Sequence, residues 1–320
     1  MSERVKIVVP GDDPVMIAGS PHLDRLVDYG DVVLYEDRPA TVDEKIARVE
    51  GAAVIINTRG VVTWRKEEFE RCPDLKMITS CSIGTDMFDL IAAREHGVVI
   101  CNQPGRTAPV VAEHMFGLMF AAAKRAAYLT SEMKKGEWPR IDLMTLQGKK
   151  LGIVGTGNIG AEMARLGRAV GMEVLAWTYN PSAEREKELG VRFVPFDELL
   201  GASDVVSMHV KLTEESRGLM GRREFGLMKE GSILLNGARG PVVDSSALVE
   251  ALDSGHLGGA GIDVFDEEPI PTDHPLLGCE HVVLTPHCAD MTPEGVDLLN
   301  GGAVDNVINY LKGTPHNIVS

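Results

Sequence analysis

At 320 residues the chain has room for two domains, and 44% hydrophobic with 25% charged residues supplies enough apolar side chains for sizeable cores. A net charge of -15 excludes non-specific nucleic-acid binding, which needs basic patches, but not a local cationic pocket for a small anion. The cysteines (Cys72, Cys81, Cys101, Cys279, Cys288) are scattered without a CxxC pair, which points to reduced thiols in a cytoplasmic protein rather than to disulfides or a metal site.

The start, "MSERVKIVVPGDD", enters a strand-like run directly and has no signal-peptide pattern. Over the first hundred residues the apolar runs "VKIVVP", "DVVLYE", "AAVIIN", "LKMITS" and "VVICN" alternate with helix-like "PHLDRLVDYG", "TVDEKIARVEG", "RKEEFERC" and "MFDLIAAREHG". Short Val/Ile-rich runs without polar alternation suit strands buried on both faces, and their alternation with helices predicts a parallel α/β sheet.

From Asn102 the pattern changes to one long helical stretch without a strand. Its most apolar part, "MFGLMFAAAKRAAYL", meets Lys124 and Arg125 after nine residues, too few to span a bilayer, so it reads as a buried or interface helix. A second α/β series follows in "KLGIVG", "EVLAW", "DVVSMHV", "SILLNG", "GAGIDVF" and "HVVLTPH", and from about Thr292 the chain is helical again. The expectation is two Rossmann-like or flavodoxin-like parallel-sheet domains with an interdomain cleft, where cofactors commonly bind at the carboxyl ends of strands.

"KLGIVGTGNIGAEMARLGRAVG" places Gly155, Gly157 and Gly160 as GxGxxG between an apolar run and a helix-periodic segment with Ile159, Met163, Leu166 and Val170 on one face. Gly155 permits the tight turn, Gly157 lets backbone approach a pyrophosphate, and Gly160 lets helix pack on strand. The helix N-terminus offers free N–H groups to a diphosphate. With 34 glycines a bare match is easy to obtain by chance; the strand before and the helix after give this one its weight. About twenty residues on, a dinucleotide fold normally places an acid on the adenosine ribose. Here the segment is "EVLAWTYNPS", with Thr178, Tyr179 and Asn180 and no carboxylate at the strand end.

Three strand-end segments could bring chemistry together: "LLNGARGPVVD" with Arg239, "GIDVFDEEP" with Asp263 and Glu268, and "VVLTPHCADMTPEG" with His287. Arg clamps a carboxylate bidentately, His exchanges a proton near neutral pH, and a Glu on the far ring nitrogen orients the imidazole. Each has an ordinary alternative. A His after Thr-Pro often serves structure, a Glu in "DEEP" is usually a solvated turn residue, and an Arg in "ARG" can bridge a loop.

The ordered segments "CSIGTDMFDL", "NQPGRTAPVVAEH", "GKKLGIVGTGNIG", "DVVSMHV", "LLNGARGPVVD", "GGAGIDVFDEEP" and "LTPHCADMT" resemble the D-isomer-specific 2-hydroxyacid dehydrogenases over essentially the whole chain. Within that family the loop motifs are most similar to the phosphoglycerate dehydrogenase and hydroxypyruvate-glyoxylate reductase branch, without a regulatory domain. The resemblance implies a cytoplasmic NAD- or NADP-dependent oxidoreductase that interconverts a small anionic 2-keto acid and a D-2-hydroxy acid, with no metal, no nucleic acid and no membrane partner.

On this reading Arg239 binds the substrate carboxylate or carbonyl, His287 is the acid/base and Glu268 its partner. Substrate contacts fall to Arg59 and to the Ser82-Ile83-Gly84 loop. Cofactor contacts fall to Gly155, Gly157, Asn158, Ile159, Gly160, Thr178, Asn180, His209, Gly237, Ala238 and Asp263, the last on the nicotinamide carboxamide. The resemblance further implies a substrate domain of 1–101 plus 292–320, a cofactor domain of 102–291 inserted into it, and a homodimer through the cofactor domain. Arg140 stands where a basic residue reaches a neighbouring subunit's site. "NT" before Arg59 departs from the Arg-Ser usual there, and Lys211 replaces the usual proline. Glu268 separates the chain from formate dehydrogenases, which pair the histidine with glutamine. The competing class is a non-catalytic NAD(H)-sensing module of the corepressor type. Thr178 in place of the ribose acid implies weak discrimination between NAD and NADP, with NAD slightly ahead on the family's habit.

Overall fold

The computed structural model describes residues 4–59 and 62–320; the first three residues of the opening segment and two of "NTRGVVT" lie outside them. The five apolar runs of the first series form β1 (Val5–Val9), β2 (Gly30–Leu34), β3 (Val54–Asn57), β4 (Met77–Ser80) and β5 (Val99–Cys101). All pair in parallel, in the order β2-β1-β3-β4-β5. Every residue of β3 and β4 is buried, as uninterrupted apolar runs require of strands covered on both faces.

Between these strands run α1 (Val42–Val49), α2 (Lys66–Arg71) and α3 (Leu90–Glu95). Thr41 and Asp89 cap α1 and α3 by accepting the N–H groups of Glu44 and Ala92. "PHLDRLVDYG" departs from expectation: it holds only a 3-10 turn at Leu23–Leu26. Its apolar residues supply a single turn, and the chain must reach Gly30, where a Cβ would lie 2.3 Å from the Val5 carbonyl oxygen.

The long helical stretch is two helices, α4 (Ala108–Ala123) and α5 (Ala126–Lys134). The break falls at Arg125, whose φ of 46° is left-handed and cannot continue a right-handed helix. α4 is buried along Val111, Met115, Leu118, Met119 and Ala122, whereas α5 buries no residue.

The second series builds a seven-stranded parallel sheet from β6 (Lys150–Val154), β7 (Glu173–Trp177), β8 (Arg192–Phe193), β9 (Val205–Met208), β10 (Ser232–Asn236), β11 (Leu257–Ile262) and β12 (Val282–Leu284). Their order is β12-β11-β10-β9-β6-β7-β8, so the direction in which successive strands are added reverses between β6 and β9. That is the topological switch point at which doubly wound sheets bind ligands. α6 (Asn158–Ala169), α7 (Ala183–Leu189), α8 (Phe196–Ala202), α9 (Arg222–Leu227) and α10 (Ser245–Asp253) make the crossovers.

The face of α6 turned to the core keeps Met163 of the periodic set, with Ile159 and Val170 packed beside it, but its buried centre is made of small residues. The buried residues are Gly160, Met163, Ala164 and Gly167, with Ile159 and Leu166 only partly covered. A Cβ on Gly167 would stand 2.6 Å from a Leu151 methyl, so small residues set the approach of this helix to β6.

Finally α11 (Pro293–Leu311), capped by Thr292, packs on the first sheet through Leu299, Ala303, Val304 and Val307. The chain thus divides into two units, Met1–Thr107 with Met291–Ser320, and Ala108–Asp290. Asn102 to Thr107 fold with the first unit, where Asn102 donates to the Ile83 carbonyl and Gln103 to that of Ser80. Among the described residues no helix is long and apolar enough to cross a membrane.

Candidate active site

In the second unit the glycine turn follows β6. Gly155 has φ 96°, and a Cβ there would lie 2.8 Å from the His209 carbonyl group after β9. Only glycine fits that position. A Cβ on Gly160 would fall 2.0 Å from the Gly155 carbonyl oxygen, so α6 begins directly against the turn. Gly157, by contrast, has nothing within 4 Å of where a Cβ would stand, and as N-cap of α6 it provides no side-chain cap. The turn therefore leaves the first N–H groups of a twelve-residue helix without a side-chain acceptor beside open space, which fits a diphosphate. His209 lies next to it, with Nε2 2.8 Å from the Ser207 hydroxyl and a solvent-shielded Nδ1 that has no partner. Burial pushes its pKa down to about 4, so the ring is neutral.

At the end of β7, Thr178 is partly covered and Asn180 exposed, and neither side chain bonds to a described residue. Arg185, in the first turn of α7, folds back and donates to the carbonyl oxygen of Thr156, inside the glycine turn.

Beyond β10, Gly237 is in contact with α4: a Cβ would meet the Met115 sulfur at 2.3 Å. Asn236 accepts the Ala238 N–H and donates to the Arg239 carbonyl, fixing the bend at the strand end. The next residue, Gly240, lies against the segment after β11, where a Cβ would be 2.0 Å from the Phe265 carbonyl carbon. That contact carries Arg239 to the Glu268 loop.

Glu268 uses both oxygens. Oε1 accepts the Phe265 N–H at 2.9 Å, and Oε2 lies 2.7 Å from His287 Nδ1. Burial pushes this carboxyl up, but the hydrogen bonds from His287 and Phe265, with the charges of His287 and Arg239, outweigh it and hold the pKa below the usual range. The pair is about two-fifths exposed on each side, so a reactant can reach it.

His287 has φ 50°, a left-handed conformation that non-glycine residues rarely adopt. Asp263 holds the segment around it. Its Oδ1 accepts the Thr285 hydroxyl at 2.6 Å and the Cys288 N–H at 3.1 Å, and its Oδ2 accepts the Ala289 N–H at 3.2 Å. Thr285 in turn accepts the His287 N–H through its backbone carbonyl. Burial raises the Asp263 pKa, but the hydrogen bonds from His114, Thr285 and the Cys288 N–H bring it below the ordinary value.

His114 is the residue that reading the sequence missed. It comes from α4, with Nε2 3.0 Å from the Thr285 hydroxyl and 3.4 Å from Asp263. The available signal was a pair of polar residues, Glu113 and His114, on an otherwise apolar helix. His114, Asp263 and Cys288 bring donor atoms within 4.8 Å of one another. The Asp263 oxygens are already taken by Thr285, Cys288 and Ala289, which makes the group a brace for the His287 segment.

In the first unit, Arg59 follows β3 with a left-handed φ of 41°. The Ser82-Ile83-Gly84 loop follows β4 and is braced internally: the Ser82 hydroxyl pairs with that of Ser80 at 2.7 Å and donates to the Gly84 carbonyl at 3.0 Å.

A turn that admits only glycine at positions 155 and 160, beside an uncapped helix at a switch point, belongs to the dinucleotide-binding α/β class, and a histidine–carboxylate pair on the same sheet edge can move a proton there. The comparisons narrow it. The family model for the D-isomer specific 2-hydroxyacid dehydrogenase NAD-binding domain matches residues 116–289. A glyoxylate reductase of Korarchaeum cryptofilum is 40% identical over 261 residues, 79% of each chain. A D-3-phosphoglycerate dehydrogenase of Archaeoglobus fulgidus is 40% identical over 253 residues; these are 78% of this chain and 48% of that one, so the match spans about half of that relative. The solved structure of an acyclic imino acid reductase in complex with NADPH and D-Arg covers 99% of this chain and 100% of that one, at 25% identity and a TM-score of 0.89. The chain belongs to the D-isomer-specific 2-hydroxyacid dehydrogenase family, NAD- or NADP-dependent oxidoreductases of 2-hydroxy and 2-keto acids.

Proposed function

We propose that the chain interconverts a small 2-keto acid and the corresponding D-2-hydroxy acid, with His287 as acid/base, Glu268 as its partner and Arg239 binding the substrate carboxylate or carbonyl. The observation that carries this is the 2.7 Å bond between Glu268 Oε2 and His287 Nδ1, with the charge of Arg239 acting on the same carboxylate. The nicotinamide, when bound, supplies or accepts the hydride. In the reducing direction His287 gives a proton from Nε2 to the oxygen developing negative charge, since Nδ1 is occupied by Glu268. Glu268 keeps the imidazole oriented through Nδ1. Arg239 neutralises the carboxylate and polarises the carbonyl.

The glycine turn, Asn158, Ile159, Thr178, Asn180, His209, Gly237 and Ala238 fall to the cofactor in this reading. Asp263 anchors the His287 segment, and contact with the nicotinamide carboxamide would compete with the bonds that do so. The Ser82-Ile83-Gly84 loop and Arg59 serve the substrate, Arg59 selecting an anionic or polar tail. A homodimer through the second unit belongs to the same reading; the exposed Trp138 and Leu143 after α5 supply apolar surface for it. Elution at twice the chain mass supports that part.

A panel of 2-keto acids incubated with NADH and with NADPH, followed by loss of dihydronicotinamide absorbance, tests the reaction. Turnover of one acid with either cofactor supports it. Tight cofactor binding without turnover of any acid replaces it with a nucleotide-sensing role.

A further inference from the structure

The first turn of α7 holds a cation, Arg185, that forms no ion pair among the described residues. Arg185 donates one N–H to the Thr156 carbonyl oxygen, between the first two glycines of the turn. Its sequence neighbours are Glu184 and Glu186, yet among the described residues it forms no ion pair with either. Other arginines of the same unit do pair: Arg165 with Glu162, Arg192 with Glu198, Arg223 with Asp197. A guanidinium has five N–H donors, so most of this one's capacity is unused by protein.

The backbone of Arg185 is placed as well. Its N–H donates to the Ser182 hydroxyl at 3.2 Å, so the side chain starts from a fixed first turn. At the ribose position the strand ends in Thr178, whose hydroxyl bonds to no described residue, and Trp177 to Asn180 contain no acid. A carboxylate at this place would accept the 2′-hydroxyl of NAD and repel the 2′-phosphate of NADP. Here that repulsion is absent, and a partly unsatisfied cation is anchored on the same turn.

We propose that Arg185, held on the glycine turn by Thr156, receives the 2′-phosphate of NADP(H), with the Thr178 hydroxyl as second donor, so that the site favours NADP(H) over NAD(H). The inference rests on the dinucleotide-binding part of the proposed function and is independent of the keto-acid chemistry. It reverses the small advantage that the family's habit assigns to NAD.

The test is calorimetric titration of the full chain with adenosine 2′,5′-bisphosphate and with adenosine 5′-monophosphate, which differ at the 2′ position alone. The wild-type protein is expected to bind the bisphosphate about tenfold tighter, the scale of one charge-assisted hydrogen-bonded contact. That advantage is expected to shrink as salt is added. Arg185→Gln keeps a donor for the Thr156 carbonyl but carries no charge, and it should bring the two affinities within about twofold of each other. Equal affinities in the wild-type protein overturn the proposal, with no variant needed. An unchanged ratio in Arg185→Gln overturns it too. Absence of keto-acid turnover with the tenfold difference intact removes the proposed reaction and leaves this site standing; turnover with equal affinities removes this site alone.

Discussion

Glu268 Oε2 stands 2.7 Å from His287 Nδ1 while Glu268 Oε1 accepts the Phe265 N–H, so the carboxylate that holds the imidazole is itself held by backbone. The two residues have different expected losses. His287→Ala removes the proton donor and should lower kcat by about 10²–10⁴-fold with an unchanged unfolding midpoint. Glu268→Gln keeps a hydrogen-bonding shape but removes the carboxylate charge beside His287 Nδ1. Its kcat/KM for keto-acid reduction should fall about tenfold. A His287→Ala protein that reduces its best keto acid at the wild-type rate would refute the proton-transfer role.

Gly240 is the joint between the Arg239 bend and the Glu268 loop. A Cβ there would lie 2.0 Å from the Phe265 carbonyl carbon and 2.3 Å from the Asp266 nitrogen, and both obstacles are backbone. Gly240→Ala must push the two segments apart, at a cost of about 1–3 kcal/mol in stability. Since the displaced parts carry Arg239 and Glu268, kcat should fall even at temperatures where the protein remains folded. Chemical unfolding and turnover on the same sample decide this; wild-type values in both would show that the joint is slack.

Much of the fold can be read from the sequence because strands buried on both faces have no reason to alternate. "VVICN", "AAVIIN" and "SILLNG" show as plain apolar runs. The failures have local causes. Nothing in "AAAKRAA" announces that Arg125 turns left-handed and splits the helix, because the residue is not glycine. β8 is two residues long, below any periodicity. On α6 the periodic residues Ile159, Met163 and Val170 do lie in or against the core, but glycines 160 and 167 pack closely while carrying no hydrophobic signal. At the site, Arg239, Glu268 and His287 come from three separate strand ends. Each is ambiguous alone, and the residues that link them, Gly240, Asp263 and His114, act through contacts that no spacing encodes.

Asp263 and His114 illustrate that last point quantitatively. Asp263 accepts from Thr285, Cys288 and Ala289 while buried. Asparagine keeps one oxygen, and its amide would face an N–H donor. Asp263→Asn should therefore cost about 1–3 kcal/mol for the donor left unsatisfied. It should also release His287 from its left-handed conformation, so kcat falls. His114→Ala removes only the contacts to Thr285 and Asp263 from α4 and should do the same to a smaller degree. Equal turnover in all three proteins would show that the brace does not reach the imidazole.

Thr178 allows a test of cofactor choice by gain rather than loss. Thr178→Asp restores the acid at the ribose position. It should lower kcat/KM for NADPH at least about tenfold relative to that for NADH, because the carboxylate repels the 2′-phosphate. The wild-type enzyme should use both, with NADPH ahead by far less than about a thousandfold, since no carboxylate at that strand end repels the 2′-phosphate and the Thr178 hydroxyl can bond to either cofactor. A strict preference for NADH in the wild-type enzyme, or a ratio unmoved by the aspartate, would mean the adenosine end binds elsewhere.

His209 sets a pH limit on stability. Its Nδ1 is shielded and unpartnered, and burial lowers the folded pKa to about 4, against an ordinary value of 6.5. Between those values the unfolded chain takes up a proton that the folded chain refuses. Stability therefore rises with pH across this window and is lost as pH falls through it. From about pH 7 to about pH 5 the unfolding midpoint of the second unit should drop by several degrees more in the wild-type protein than in His209→Gln, whose side chain does not titrate. The backbone of His209 that abuts Gly155 is unchanged in that variant, so the glycine turn stays in place. Identical acid sensitivity in the two proteins would place the responsible proton on another group.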